Sequence, residues 1–144
     1  KMNELSIKLS LLISLLLPSC VSPPDYEDGL LENIPAVIND VDYFSLSILA
    51  DDYSDNLKWD LDISLLEDDI YLSTLVIKDL SITSSDSSFI YIIDSNLDTS
   101  LTIGIFDEVI STINDTISSL GVPKTVVFSG DKLTGRIEYQ ILKK

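Results

Sequence analysis

The 144-residue chain contains no histidine and a single cysteine, Cys20. Without histidine, the Ser-His-Asp and Cys-His arrangements of nucleophilic catalysis are excluded. Zinc sites of the usual nitrogen-and-sulfur kind and the common haem and iron–sulfur ligand sets are excluded with them. The five glycines are scattered and form no phosphate-binding loop. We therefore expect a protein that is not an enzyme and needs no resident cofactor.

Positive charge is also scarce, since nine Lys and Arg residues stand against 24 Asp and Glu residues and the net charge is −15. Binding to nucleic acid needs cationic side chains against phosphate, so we expect no nucleic-acid partner. The folded part is equally unsuited to adhere to anionic lipid. An acidic surface is typical of a soluble domain, and it also suits divalent cations or basic partners.

Long apolar stretches are represented by one segment, residues 9–17, near the start of the chain. Lys1 and Lys8 flank its beginning, and Pro18, Ser19 and Cys20 follow it. A bilayer span needs about 20 apolar residues, so this segment is too short to be a transmembrane helix. The order of basic residues, apolar core and small residues predicts a secretory signal peptide at residues 1–19.

The sequence Leu17-Pro18-Ser19-Cys20 resembles the lipobox of bacterial lipoproteins, with Leu at −3, a small residue at −1 and Cys at +1. Pro18 at −2 departs from the small residue that is usual there. The resemblance implies that Cys20 becomes the N-terminus and carries fatty acyl chains such as palmitate. Two acyl chains attach a protein firmly to a membrane, whereas one is marginal. By the same analogy, Val21 in place of Asp after the cysteine favours the outer membrane. No family is recognised for the mature domain.

The remaining chain predicts a tether at residues 20–29 and one domain at residues 30–144. Ser22-Pro23-Pro24-Asp25 has no periodicity, and paired prolines favour extended backbone. The length of the remainder suits one core.

Apolar and polar side chains alternate from residue 41 onwards, which indicates antiparallel strands with one face in water. The clearest strand carries Leu57, Trp59, Leu61, Ile63 and Leu65. Other strands are predicted at 41–50, 70–82, 89–93, 101–105, 124–128 and 133–141, with the last two forming a hairpin.

Residues 106–120 predict one helix, because their apolar residues fall on a helical stripe and Gly121 and Pro123 follow. The expected fold is therefore mainly β: an antiparallel sandwich-like domain, or a single sheet, of about seven strands with one packed helix.

One loop carries an arrangement of oxygen ligands. Asp94, Asn96 and Asp98 place an oxygen at every second position, like the first half of an EF-hand loop. Thr99 stands where that loop needs glycine, and Ile105 where it needs glutamate. Calcium at these three residues is a hypothesis, and ordinary turn chemistry is the alternative.

Three functions remain open for a lipid-anchored envelope protein. The first is a binding or structural module without catalysis that docks to another envelope protein or a surface ligand, with Tyr43, Tyr53 and Tyr71 as exposed contact residues. The second is a carrier that encloses a lipid or small hydrophobic ligand between sheet and helix. The third is an enzyme acting on glycans through carboxylates such as Asp60 and Asp62.

Overall fold

The structure is a computed structural model that describes residues 29–66, 69–83, 87–116 and 121–144. These residues form nine strands and no helix. The strands are β1 Ala36–Asn39, β2 Tyr43–Tyr53, β3 Asn56–Asp60, β4 Ile70–Ser81, β5 Phe89–Asp94, β6 Thr99–Gly104, β7 Val109–Thr116, β8 Pro123–Ser129 and β9 Leu133–Lys143. The predicted signal peptide, Cys20 and the tether up to residue 28 lie outside the described residues.

The strands form two sheets, one with the order β1-β2-β9-β4-β7 and the other with the order β3-β8-β5-β6. Every strand pair in both sheets is antiparallel. We call them the five-stranded and the four-stranded sheet. The prediction of a mainly β, antiparallel, sandwich-like domain is confirmed, and the single-sheet alternative is not seen.

The core lies between the two sheets and receives every second side chain of the central strands. Phe44, Leu46 and Ile48 of β2 are fully buried, and Ile90 of β5 and Phe128 of β8 meet them from the four-stranded sheet. Aromatic pairs join the sheets directly: the Phe44 and Trp59 ring centroids lie 6.4 Å apart. Alternation of period two therefore identified the core-facing residues of β2 correctly.

The strand predicted over residues 57–65 ends early, at Asp60. Leu61 and Ile63 are nevertheless buried, as predicted. The Leu61 N–H still bonds to the Lys124 carbonyl of β8. The chain then leaves the four-stranded sheet, and the Ser64 N–H bonds to the Val41 carbonyl near β2. The alternating pattern thus predicted burial beyond the point where the ladder ends.

The predicted helix at residues 106–120 is wrong, because residues 109–116 form strand β7 on the edge of the five-stranded sheet. β7 pairs with β4 from Val109 opposite Ile77 to Thr116 opposite Ile70. Its residues are mostly β-branched or short and polar, types that favour strands and turns over helix interiors. Pairing with the long β4 satisfies the backbone, and this outweighs the helical stripe. Residues 117–120 of that prediction lie outside the described residues.

The predicted terminal hairpin is also wrong, because β8 and β9 belong to different sheets. β8 lies between β3 and β5, whereas β9 lies between β2 and β4. The link between them crosses at one end of the sandwich, where the Gly130 N–H bonds to the Asp55 carbonyl and the Lys132 N–H bonds to the Ser54 hydroxyl. Ser54 and Asp55 form the link between β2 and β3, which also crosses between the sheets. Hydrogen bonds therefore join the β8–β9 link to the β2–β3 link.

Candidate binding surface

The outer face of the four-stranded sheet presents an ordered grid of side chains. On β5, Ile90 and Ile92 point into the core, so Phe89, Tyr91 and Ile93 point outwards. The strand register continues these positions across the sheet. The three rows are Asn56, Ser129, Phe89 and Gly104; Lys58, Val127, Tyr91 and Thr102; and Asp60, Thr125, Ile93 and Thr99.

One half of this face carries three aromatic side chains, Phe89, Tyr91 and Phe106, which we call the aromatic platform. The rings of Phe89 and Tyr91 are stacked with centroids 5.7 Å apart and an interplanar angle of 22°. Phe106 meets Phe89 edge-on at 5.5 Å and 86°, and 51% of its surface is exposed. Phe89 and Tyr91 are half-buried, so Phe106 is the exposed member of the platform. Exposed apolar groups that cluster mark interaction sites more often than isolated ones do.

Gly104 makes room for the Phe106 ring. A Cβ atom added at Gly104 would overlap that ring. Phe106 follows the end of β6 by two residues, and its ring lies over the glycine and against Phe89. The platform therefore depends on a residue without a side chain in the strand beneath it.

The other half of the face carries Asn56, Lys58 and Asp60 of β3, which we call the polar strip. All three are exposed. The Ser129 hydroxyl donates to Asn56 Oδ1 at 2.8 Å, and the Thr125 hydroxyl donates to Asp60 Oδ1 at 2.9 Å. Lys58 Nζ lies 3.7 Å from Asp60 Oδ1. With one strand, β8, between β3 and β5, the polar strip runs about 10 Å from the Phe89 and Tyr91 backbone.

The charges on this face cancel, because Lys58 and Asp60 are the ionised groups among its three rows. The chain as a whole carries −15. The face is therefore a neutral area on an acidic molecule.

The three predicted contact tyrosines lie elsewhere and do not form one surface. Tyr71 is 5% exposed and belongs to the core, so it cannot serve as a surface contact. Tyr43 and Tyr53 are half-buried at opposite ends of β2. The Tyr53 ring stacks on Phe128 with centroids 5.9 Å apart.

The Tyr53 hydroxyl donates to Asp55 Oδ2 at 3.3 Å. Burial, followed by the charge of Asp55 and this hydrogen bond, raises the pKa of Tyr53 above its ordinary value. Tyr53 therefore belongs to the crossing end of the sandwich and stabilises it, with its hydroxyl already engaged.

The predicted calcium residues form the turn between β5 and β6. Asp94 is 7% exposed, and its Oδ1 accepts the N–H groups of Asn96 at 2.8 Å and Asp98 at 3.0 Å. A Cβ placed on Gly121 would lie 2.8 Å from Asp94 Oδ2, so the chain passes closely over this carboxylate. Such side-chain closure is typical of Asp-initiated turns. Calcium at Asp94, Asn96 and Asp98 stays a prediction.

Within the described ranges, no three acidic, cysteine or histidine side chains gather as a metal would require. The two acids considered for glycan hydrolysis are separated by the end of β3, since Asp60 lies in the strand and Asp62 beyond it. The Asp62 N–H bonds to Asn39 Oδ1. Both side chains are exposed, as the alternation predicted, but the strand that carries Asp60 ends before Asp62.

A cavity of about 180 Å³ opens between the edges of the two sheets, where β7 faces β6. Its apolar lining comes from Leu75, Ile103, Val109 and Ile113. Pockets for small ligands measure about 300–1,000 Å³. The helix that was to close a carrier cavity is a strand here, so the geometry gives the carrier hypothesis little support.

Sequence reasoning missed Phe89, Tyr91, Phe106 and Lys58. The run from Phe89 to Ile93 was correctly predicted as a central strand because it is apolar on both faces. Two features of the sequence could have identified them. The outward face of this strand carries aromatic residues, and Phe106 follows Gly104 by two residues.

The described part of the chain contains no helix of the length and apolarity that a membrane crossing requires. No family model, curated protein or solved structure matches the chain.

Proposed function

We propose that this chain is a non-catalytic binding module of the bacterial cell envelope, held at the outer membrane by lipid on Cys20. It binds its ligand on the outer face of the four-stranded sheet. The observation that carries the proposal is the aromatic platform, in which the exposed Phe106 and the half-buried Phe89 and Tyr91 lie beside a polar strip on an otherwise acidic molecule. Grouped aromatic side chains of this kind are typical contact residues in binding sites.

The absence of histidine from the whole sequence supports a role without catalysis. So does the placement of the strand acids, because Asp60 is bonded to Thr125 and Asp62 lies outside the strand. General acid and base pairs need two carboxylates that converge on one cleft.

Lipidation is tested with one substitution. Because Cys20 is the sole cysteine, Cys20→Ser removes every thiol that could carry an acyl chain. In a bacterial host given radiolabelled palmitate, we expect the wild-type chain to carry label and fractionate with membranes, and Cys20→Ser to lose both properties. The matched control is Ser19→Ala, which keeps a small residue before the cysteine and is expected to retain label. Equal labelling of wild type and Cys20→Ser would show that Cys20 does not carry the lipid anchor.

The binding face is tested separately. A photo-crosslinking residue placed at the exposed Thr102, beside Tyr91, is expected to trap the ligand in living cells. The same residue placed at Ile110, which is 73% exposed on the other sheet, is the control and is expected to trap nothing. Crosslinking that is equal at both positions, or absent at Thr102, would contradict the proposed face.

A further inference from the structure

Resting on the proposed function, we propose that the ligand of this face is an uncharged glycan, whose sugar rings stack on the aromatic platform while their hydroxyl groups bond to the polar strip. The proposal names the class of ligand and follows from the ring geometry, the polar groups beside the rings and the charge of the face.

The aromatic platform offers part of its ring surface to a ligand, most of all at the exposed Phe106. The face of an aromatic ring carries negative potential from its quadrupole. One side of a pyranose ring is a flat layer of C–H groups with slight positive charge, so it complements such a ring face. Phe89 and Tyr91 are half-buried and cover part of each other's faces by stacking. The outward parts of these two rings and the exposed ring of Phe106, which meets Phe89 edge-on, form this surface. A chain of sugars would therefore contact more than one ring.

The polar strip supplies the hydrogen bonds that sugar hydroxyl groups require. Each hydroxyl group both donates and accepts, and Lys58 offers donors while Asp60 offers acceptors. Asn56 carries both kinds of group, and Ser129 already occupies its Oδ1, which leaves the amide N–H groups for a ligand. All three side chains are exposed. A ligand with an apolar face and a hydroxylated edge fits this division of the surface.

Charge selects among ligands that stack on aromatic rings. Nucleic acids and acidic glycans are repelled by a molecule of charge −15. A cationic peptide would gain most where acids are in excess, whereas on this face the charges of Lys58 and Asp60 cancel. The neutral face therefore complements an uncharged ligand best.

The test uses the full chain purified in detergent and affinity electrophoresis in gels that contain one polysaccharide each. The neutral probes are hydroxyethyl cellulose, laminarin, soluble starch, galactomannan and xyloglucan, and the charged probe is polygalacturonate. We expect at least one neutral probe to retard the wild-type chain and polygalacturonate to have no effect. Tyr91→Ala and Phe106→Ala are expected to weaken retardation by about tenfold or more, in keeping with lost ring stacking.

Three further variants separate stacking from a loss of structure. Tyr91→Phe keeps the ring and is expected to bind as the wild type does. Lys58→Ala is expected to weaken binding severalfold, because it removes donors beside the rings. Leu97→Ala, at an 82% exposed turn residue that is not a member of the three rows, is the control and should leave binding unchanged. Far-UV circular dichroism checks that every variant retains its strands.

The outcomes distinguish an error in the ligand class from an error in the proposed binding function. If no neutral probe retards the chain, or if wild type and Tyr91→Ala are retarded equally, the proposal of a glycan ligand is wrong. If crosslinking at Thr102 then traps a protein, the face still binds and only the ligand class is wrong. A different outcome is a crosslinked species of twice the chain's mass that is lost in Phe106→Ala. This result would show that a second copy covers the face, and it would also contradict the proposal of a glycan ligand. Failure of both assays removes the proposed function as well.

Discussion

Glycine 104 is the residue on which the aromatic platform most directly depends. It lies in the row with Phe89 and leaves the space that the Phe106 ring occupies. Phe106 is exposed, so its side chain can move away at little cost to packing. This position can therefore alter the platform while the core stays intact.

Gly104→Ala is predicted to disrupt binding and leave stability nearly unchanged. The added methyl group would displace the Phe106 ring from Phe89. We expect retardation by the neutral polysaccharide to fall at least severalfold, while the urea midpoint changes little because the Phe106 ring that must move is 51% exposed. Trp59, the one tryptophan, reports unfolding by fluorescence. Leu97→Ala, at the 82% exposed turn residue, is again the control for binding. Unaltered binding in Gly104→Ala would show that Phe106 does not contact the ligand.

Among the elements, the segment after β3 is held by an ion pair that connects it to the last strand. Lys143 Nζ lies 2.7 Å from Asp69 Oδ2 and donates to the Ser64 carbonyl at 2.9 Å. The Leu66 N–H donates to the same Asp69 oxygen. Ser64 and Leu66 lie in the stretch that crosses between the sheets. The Asp69 carboxylate and the Lys143 ammonium group therefore bind this stretch to β9.

The Asp69 carboxylate makes part of this fastening depend on pH. Hydrogen bonds from Lys143 and the Leu66 N–H lower the pKa of Asp69 below its ordinary value. Since the folded pKa is below the unfolded one, the stabilisation is complete above the unfolded pKa and is lost as pH falls through the folded pKa. We therefore expect Asp69→Asn to be less stable than the wild type at about pH 6 and to approach it at about pH 2.5.

Urea unfolding followed by Trp59 fluorescence at both pH values measures this difference. Asp60→Asn is the control, because the Lys58–Asp60 pair is longer, at 3.7 Å, and its side chains are 63% and 72% exposed. Such surface pairs contribute little. A gap between wild type and Asp69→Asn that is the same at both pH values would refute the role of this charge.

At the level of the whole molecule, the excess of acid opposes folding. A net charge of −15 on a compact body repels itself more than the same charge on an extended chain. Exposed acids without a side-chain bond in the described residues, such as Glu32 and Asp62, add to this repulsion. Salt screens such interactions, since the Debye length falls from about 30 Å at 0.01 M to about 8 Å at 0.15 M.

Added sodium chloride is therefore predicted to raise the melting temperature by about 3 °C or more over that range. The variant Glu32→Gln/Asp62→Asn is expected to melt higher than the wild type at low salt and to gain less from salt. Scanning calorimetry measures both effects. A melting temperature that falls with salt would show that attractive ion pairs outweigh the repulsion. Calcium chloride at matched ionic strength tests the calcium hypothesis, for which a further gain, lost in Asp98→Asn, is required.

How far the sequence predicts the candidate site can be judged from two groups of residues. Alternation correctly placed Lys58 and Asp60 on an outward strand face, and the apolar character of both faces correctly placed Phe89 to Ile93 in a central strand. It could not place these two groups on one surface, because β8 joins β3 to β5 and lies far along the chain from both. Tyr71 was misjudged for another reason: Ile70, Tyr71 and Leu72 are all apolar, so alternation does not show which face of β4 is the core face.

What the sequence determined by itself is local. A repeat of two in apolar side chains specifies a strand and the face it buries, so Phe44, Leu46 and Ile48 could be predicted as core residues. What only the tertiary structure decided is which strands become neighbours. Backbone hydrogen bonds between strands do not depend on the side chains they join, so β8 and β9 entered different sheets despite the short link between them. Residues 109–116 likewise form a strand because they pair with the edge of β4, although the spacing of their apolar residues also suits a helix.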